Sequence, residues 1–168
     1  VVGSLPSSIG NLSLLKTLSF NSNELNGTIP NSITNLTNLE TISLNGNQLT
    51  GAIPLNIGNL TKLIYLQIAT NQLSGHIPSS IGSLTKLSAI MLSGNQLTGN
   101  IPNSFWGLTT LYSLTFANNQ LSGSIPSSFE GLINLRNLSL NINQFNGYVP
   151  AFLGTLPLNN LLLQNNQF

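Results

Sequence analysis

The sequence has no cysteine, a single histidine and very few charged residues. Without cysteine there is no disulfide framework, thiolate nucleophile or thiolate metal site, although the redox compartment stays open. Charged residues make up 4% of the chain, against about 25% in an ordinary soluble domain. The acids Glu24, Glu40 and Glu130 and the lone His76 suggest no cleft with paired carboxylates and no nucleophile–base pair. We therefore expect no enzyme activity, no metal site and no cofactor.

Basic residues are as sparse as acidic ones, and they are scattered along the chain at Lys16, Lys62, Lys86 and Arg136. A net charge of +1 predicts no attraction to nucleic acid or to an anionic membrane surface. No apolar run is long enough to span a bilayer, and the first residues have no charged segment followed by a long apolar one, so they do not resemble a signal peptide. We expect no membrane contact from this segment.

A repeat of 24 residues fills the chain. Proline recurs at this spacing at Pro6, Pro30, Pro54, Pro78, Pro102, Pro126 and Pro150, and glycine at Gly3, Gly27, Gly51, Gly75, Gly99, Gly123 and Gly147. An asparagine ladder follows the same period at Asn23, Asn47, Asn71, Asn95, Asn119 and Asn143, and reaches Asn166 after a step of 23. Three ladders in one register predict a single array of about seven repeats over residues 1–168.

Each repeat contains a short strand pattern, then a bend, then a segment with a three-residue period. Ile42 and Leu44 are two residues apart and share one face of a strand. Asn47 follows, and its amide can pair with backbone groups that a bend leaves free. Apolar residues three apart in the segment 57–63 then suit a 3-10 turn.

One unit cannot bury these apolar residues alone, so the units are predicted to stack through parallel strands about 4.8 Å apart. Val1 and Phe168 occupy the same leucine position of the unit, which places both termini inside a repeat. We expect either a fragment of a longer array or ends that stack on neighbouring copies.

The pattern LxxLxLxxNxLxGxIPxxIGxLxx, seen in LETISLNGNQLTGAIPLNIGNLTK, resembles the plant-type leucine-rich repeat along the whole chain. The resemblance implies an α/β-type solenoid: a superhelix with a parallel concave β-sheet, a second short strand in each repeat and 3-10 segments on the convex side. Similar proteins include receptor-kinase and receptor-like ectodomains, polygalacturonase inhibitors and antifreeze proteins. The chain departs from these relatives in having no cysteine-paired caps, no transmembrane or kinase segment and unusually little charge.

Residues between the core leucines should point out of the concave sheet, with residues 24 apart on adjacent coils. The larger outward side chains cluster in the middle coils and form a candidate ligand-binding patch: Ile64, Tyr65, Gln67, Met91, Tyr112 and Arg136. Exposed aromatic residues and methionine are typical of recognition surfaces, although ordinary variation among repeats also explains them. Lys16 and Glu40 should face each other as a surface ion pair worth about 0–1 kcal/mol.

Two further sets of residues invite an interpretation. Trp106 occupies a position that is glycine in several other units, and we expect it on the convex side with Glu130 as its neighbour. Glycosylation sequons occur at Asn11, Asn26, Asn35, Asn59 and Asn137. They fit an extracellular glycoprotein, but chains rich in Asn, Ser and Thr produce such motifs by chance, and a glycan on Asn137 would block the concave face.

Three functions remain open. The first is an extracellular, secreted or cell-surface module that binds a protein, a peptide or a neutral glycan on its neutral concave surface. The second is a self-assembling structural protein of a wall, matrix or filament, whose partners are further copies of itself. The third is ice binding through columns of hydroxyl and amide groups. Its candidates are Thr37, Thr61, Thr85 and Thr109, or Asn26, Thr50, Ser74, Thr98 and Ser122.

Overall fold

A computed structural model describes residues 1–168, which form fourteen short strands and seven 3-10 turns. The first strand set is β2 (Thr17–Ser19), β4 (Thr41–Ser43), β6 (Tyr65–Gln67), β8 (Ala89–Met91), β10 (Ser113–Thr115), β12 (Asn137–Ser139) and β14 (Asn160–Leu162). The second set is β1 (Val2–Ser4), β3 (Glu24–Asn26), β5 (Thr50–Gly51), β7 (Gln72–His76), β9 (Gln96–Gly99), β11 (Gln120–Gly123) and β13 (Gln144–Phe145). The 3-10 turns are η1 (Ser7–Asn11), η2 (Asn31–Asn35), η3 (Ile57–Asn59), η4 (Ser79–Ser83), η5 (Asn103–Gly107), η6 (Ser127–Gly131) and η7 (Ala151–Gly154). None of these turns has the length and apolarity that a membrane-spanning helix needs.

The first strand set forms one seven-stranded parallel sheet in the order β14-β12-β10-β8-β6-β4-β2. Adjacent strands pair residues 24 apart, as Ile42 pairs with Leu66, and the last pair has a step of 23, from Asn137 to Asn160. The central residue of each strand except β14 is buried and its two neighbours face outward, as the two-residue alternation predicts. This sheet is the concave face of the predicted solenoid.

The second strand set pairs with a different register. Thr50 faces Gln72, and Ser74 faces Gln96, so the partners are 22 residues apart. Because a strand rises about 3.3 Å per residue, equivalent positions on this side slip by roughly 6.6 Å from one coil to the next. Successive coils are therefore sheared against each other, as a superhelical stack requires.

The apolar residues of all the coils join into one core of 41 buried residues. Leucine and isoleucine fill it in the first half, while Phe105, Phe116, Phe129 and Phe145 add aromatic volume in the second half. Burial of each large aliphatic side chain stabilises the fold by about 1.5–3 kcal/mol before entropy is subtracted. The core is continuous across every coil boundary, which confirms the predicted stacking.

The asparagine ladder connects each coil to the one before it. The Nδ2 group of Asn95 donates to the carbonyl oxygens of Leu92 in its own coil (3.0 Å) and Ile68 in the preceding coil (3.1 Å). Its Oδ1 accepts from the N–H of Leu73 at 2.9 Å. The same three-way arrangement recurs at Asn47, Asn71, Asn119, Asn143 and Asn166. The alignment predicted for this ladder is confirmed.

The residue before each ladder asparagine has a left-handed backbone conformation. Only Gly46 and Gly94 are glycines at this position, whereas the β-branched Thr70 and Ile142 have φ values of 53° and 56°. A β-branched residue is strained in this region. The stacked coils, rather than local preference, hold the turn in this shape.

On the convex side, successive 3-10 turns meet along seams of two kinds. In a closed seam the earlier turn carries Gly10, Gly58 or Gly82, and the next turn approaches closely. A Cβ atom on Gly58 would lie 2.2 Å from the carbonyl oxygen of Ser80. Hydroxyl groups then donate across the closed seams at 2.6 Å, from Ser32 to Ser7, from Ser80 to Leu55 and from Ser104 to Ser79.

Open seams follow the three turns in which a side chain replaces this glycine, namely Thr34, Trp106 and Glu130. None of them contains the hydroxyl–carbonyl bond of the closed seams. Trp106 lies in η5 on the convex side, where it was expected, but its side chain is buried, with only 6% exposed. The indole packs against Phe105 and Phe129, with ring centroids 5.7 and 4.9 Å away, and so fills the opened seam.

Candidate ligand-binding surface

Two exposed tyrosines lie on the concave side, two coils apart, beside a shallow floor of small residues. Tyr65 is 42% exposed and Tyr112 is 49% exposed. Tyr65 is in register with Ala89, which is in register with Ser113, and these two small residues are buried at 7% and 9% exposure. Tyr112 directly precedes Ser113 in the chain. Since neighbouring strands lie about 4.8 Å apart, the coils that carry the two tyrosines are roughly 10 Å apart across the sheet.

The other residues of the predicted patch lie beside this floor. Met91 is in register with Gln67, and both are half-buried. Ile64 precedes Tyr65 in the chain and is also half-buried. The N–H of Arg136 donates to the carbonyl oxygen of Tyr112 at 2.9 Å, so Arg136 belongs to the next coil. All six patch residues therefore lie on four consecutive coils, while their role in binding remains a prediction.

A hydrogen-bonded amide network at one edge of the patch was missed by the sequence analysis. The Ser43 hydroxyl donates to Gln67 Oε1 at 2.7 Å and contacts the Asn21 amide at the same distance. Asn21 Oδ1 accepts from the N–H of Asn45, whose own Oδ1 accepts from the N–H of Ala69. Gln67 is thus fixed by the preceding coils, and only the 24-residue spacing of the two asparagines could have signalled it.

The electrostatics of the surface are nearly neutral. Lys16 Nζ lies 3.3 Å from Glu40 Oε1, with side chains 71% and 41% exposed, which confirms the predicted ion pair and its exposed position. No three His, Cys, Asp or Glu side chains come together in a way that could hold a metal ion. His76 is exposed and its Nδ1 lies 3.1 Å from the Thr98 carbonyl oxygen. A partner would be recognised here through hydrogen bonds and van der Waals contact.

The five sequons differ in accessibility. Asn11, Asn26, Asn35 and Asn59 are exposed. Asn137 is half-buried on the concave sheet, where its Oδ1 accepts a 2.7 Å hydrogen bond from Asn160. Glycosylation at the four exposed sites stays a prediction, and Asn137 is the least suitable acceptor.

The two columns proposed for ice binding also differ. Thr37, Thr61, Thr85 and Thr109 are all exposed and occupy the same turn of their coils. The column through Thr50, Ser74 and Thr98 is not a straight ladder, because the second strand set pairs residues 22 apart. The expectation that these residues form a column is therefore wrong, since equal position in the repeat does not mean adjacency in space.

Comparison with known proteins identifies the family. The leucine-rich repeat model matches residues 14–36, 38–60, 62–84, 86–108 and 110–132. The chain therefore belongs to the leucine-rich repeat family. No curated protein sequence matches it.

The fold also matches solved structures of other proteins. The Arabidopsis receptor kinase HAESA, solved with the peptide hormone IDA and the co-receptor SERK1, is 38% identical with a TM-score of 0.96, and the match covers 99% of this chain and 28% of that one. A TDR receptor is 40% identical with a TM-score of 0.95 over 98% of this chain and 29% of its own. A plant ice-binding protein is 27% identical with a TM-score of 0.75 over 98% of this chain and 69% of its own. The chain thus spans less than a third of these two receptor chains.

Proposed function

We propose that this chain is a non-catalytic extracellular binding module whose concave surface holds an uncharged, extended peptide. The observation that supports this most directly is the pair of exposed tyrosines beside the Ala89–Ser113 floor. Tyrosine supplies a large contact area at a low entropic cost, and small floor residues allow a peptide backbone to approach the sheet. The HAESA structure, which contains a peptide hormone, supports the same class of ligand.

The charge distribution restricts the class of ligand further. Glu40 on the coil next to Ile64 is paired with Lys16, which leaves Arg136 as the unpaired charge at the border of the patch. An acidic or basic segment would gain little from so neutral a surface, yet would lose its own hydration. An uncharged peptide with apolar or aromatic side chains fits this surface best.

Substitution of the two tyrosines tests the proposal. In a binder selected from a library of uncharged peptides, Tyr65→Ala and Tyr112→Ala should each weaken the affinity by about 10- to 30-fold, as removal of a central aromatic anchor does. Isothermal titration calorimetry measures the loss. Tyr148→Ala is the matched control, because Tyr148 is 94% exposed and lies outside the concave sheet.

Equal losses in the Tyr148 variant, or unchanged affinity in both patch variants, would reject the concave site. Sedimentation velocity of the same sample separates peptide binding from the self-association that the sequence also suggested.

A second candidate is ice binding, which the exposed threonine column and the resemblance to a plant ice-binding protein both favour. This function predicts thermal hysteresis that disappears in Thr61→Leu/Thr85→Leu and survives Thr50→Leu, because Thr50 and its equivalents do not form a column. Absence of ice recrystallisation inhibition by the unmodified chain would dismiss it.

A further inference from the structure

One open seam is left unfilled. The seam between η5 and η6 is occupied by the Trp106 indole, and Phe152 stacks on Phe129 in the next seam, with ring centroids 6.2 Å apart. The seam between η2 and η3 contains no aromatic side chain, and a cleft of about 450 Å³ opens there. Unlike the other two open seams, this one is not filled by an aromatic side chain.

The residues of this seam explain why it opens. Thr34 replaces the glycine of a closed seam, and its hydroxyl donates to the carbonyl oxygen of Asn31 at 2.8 Å. Asn56 replaces the serine that would bridge a closed seam, and η3 begins only at Ile57. The bridging carbonyl is therefore already engaged, and no hydroxyl reaches across from η3.

The lining combines aliphatic surface with neutral hydrogen-bonding groups. Ala52, Pro54 and Leu55 supply the aliphatic part, and Leu55 is 75% exposed at the rim. Asn31 and Asn56 also line the cleft, both are exposed, and neither side-chain amide has a hydrogen-bond partner within the protein. No charged residue lines the cleft.

We propose that this cleft binds a neutral sugar residue, at a site separate from the concave surface and independent of its proposed function. A pyranose ring presents a C–H face that suits the aliphatic wall and hydroxyl groups that can both donate to and accept from free amides. A charged ligand would lose its hydration without gaining a partner, and a purely apolar one would bury the amides unpaired. The volume falls within the range of roughly 300–1,000 Å³ typical of small-molecule sites.

The repeat itself provides a variant that closes the cleft. Thr34→Gly/Asn56→Ser gives the η2–η3 seam the residues of the closed η3–η4 seam, Gly58 and Ser80. The new hydroxyl should donate to the Asn31 carbonyl, so the fold should be retained. Asn56→Ala leaves the cleft open but removes one amide, and Asn103→Ala is its matched control on an exposed position of another turn.

The probes are cellobiose and methyl β-glucoside, titrated against the ¹⁵N-labelled chain. We expect saturable amide shifts at Thr34, Ala52 and Asn56 with millimolar affinity. The closing variant should lose at least about tenfold in affinity, equivalent to 1.4 kcal/mol. Asn56→Ala should weaken binding, whereas Asn103→Ala and Tyr65→Ala should leave it unchanged, which separates this site from the concave one.

Three outcomes would overturn the proposal. The first is an absence of shifts with either sugar, and the second is equal binding by the closing variant. The third is saturable binding of N-acetyl-leucine amide in place of the sugars, which would assign the cleft to an apolar side chain of a partner protein.

Discussion

Replacing Asn95 by alanine is expected to lower the free energy of unfolding by about 3–4 kcal/mol, more than a typical core methylene deletion. The substitution removes all three hydrogen bonds through which this side chain ties its coil to the preceding one. Asn95 is only 9% exposed, so water does not readily replace them. The ladder thus contributes to stability as well as to the shape of the turn.

The loss is unequal among the three backbone partners. The carbonyl oxygens of Ile68 and Leu92 each keep a second donor, from Asn71 and Asn119 respectively. The N–H of Leu73 has Asn95 Oδ1 as its side-chain acceptor in a buried setting, and it is left unpaired by the substitution. An orphaned buried donor costs about 1–3 kcal/mol, so this amide dominates the effect.

Urea denaturation followed by circular dichroism measures the change in stability, and hydrogen exchange at the Leu73 amide reports the broken contact directly. Asn103→Ala is the control, because Asn103 is exposed, its side chain has no hydrogen bond, and the seventh coil carries Ala151 at the same position. A destabilisation by Asn95→Ala no larger than that by Asn103→Ala would show that the ladder does not stabilise the fold.

The stability of the variant Asn95→Asp should depend on pH in a characteristic way. The introduced carboxyl group would face the carbonyl oxygens of Ile68 and Leu92, and this burial among acceptors would raise its pKa above the ordinary range of an aspartate. A group with a raised pKa in the folded state contributes stability at low pH and loses it as the pH rises through that pKa. The deficit relative to the unmodified chain should therefore be smaller at pH 4 than at pH 7, a trend that Asn95→Ala lacks.

The sequence predicted this ladder because both the spacing of the asparagines and the chemistry of their side chains indicate it. Asn47, Asn71 and Asn95 repeat at the spacing at which the concave strands pair, and an asparagine amide can bond both backbone donors and acceptors. The sequence did not predict the 22-residue register of the second strand set. A repeat shows which residues are equivalent, whereas the partner across a coil boundary also depends on how each coil is tilted.

The candidate binding surface was predictable to a similar extent. The outward columns could be read from the alternation of core leucines, and the structure places Tyr65 and Met91 in the expected columns. Burial of Ala89 and Ser113 could not be read in this way, because it depends on the larger side chains around them. The interior position of Trp106 was equally hidden, since the apolar wall it meets is formed by Phe129 of the following coil.

The closed convex seams leave no room for an added side-chain atom at their glycine position. Gly58→Ala should destabilise the chain by about 2–3 kcal/mol, as overpacking does in a tight interior. The added Cβ would lie 2.2 Å from the Ser80 carbonyl oxygen and 3.0 Å from its Cβ, so the η3–η4 seam must move apart. The 2.6 Å bond from Ser80 Oγ to the Leu55 carbonyl would then be lost.

Gly154→Ala is the matched control, because Gly154 occupies the same position of its 3-10 turn and a Cβ there meets no atom within 4 Å. It should be neutral, or stabilising by about 0.4–1 kcal/mol through the lower entropy of the unfolded chain. Thermal and urea denaturation of the two variants compare the same chemical change in a closed and an unobstructed setting. Similar stabilities would mean that the closed seams are not tightly packed.

The same substitution distinguishes two ways in which the array could respond. If the stack is rigid, Gly58→Ala is simply strained. If the seam opens as it does after Thr34, the added side chain separates two turns on the convex side, while the concave sheet keeps its 24-residue register. The curvature of the solenoid then increases. Small-angle X-ray scattering of Gly58→Thr, which copies Thr34 at this position, would detect that bend. A change in curvature with little loss of stability would identify this one position of the repeat as the residue that sets the shape of the binding surface.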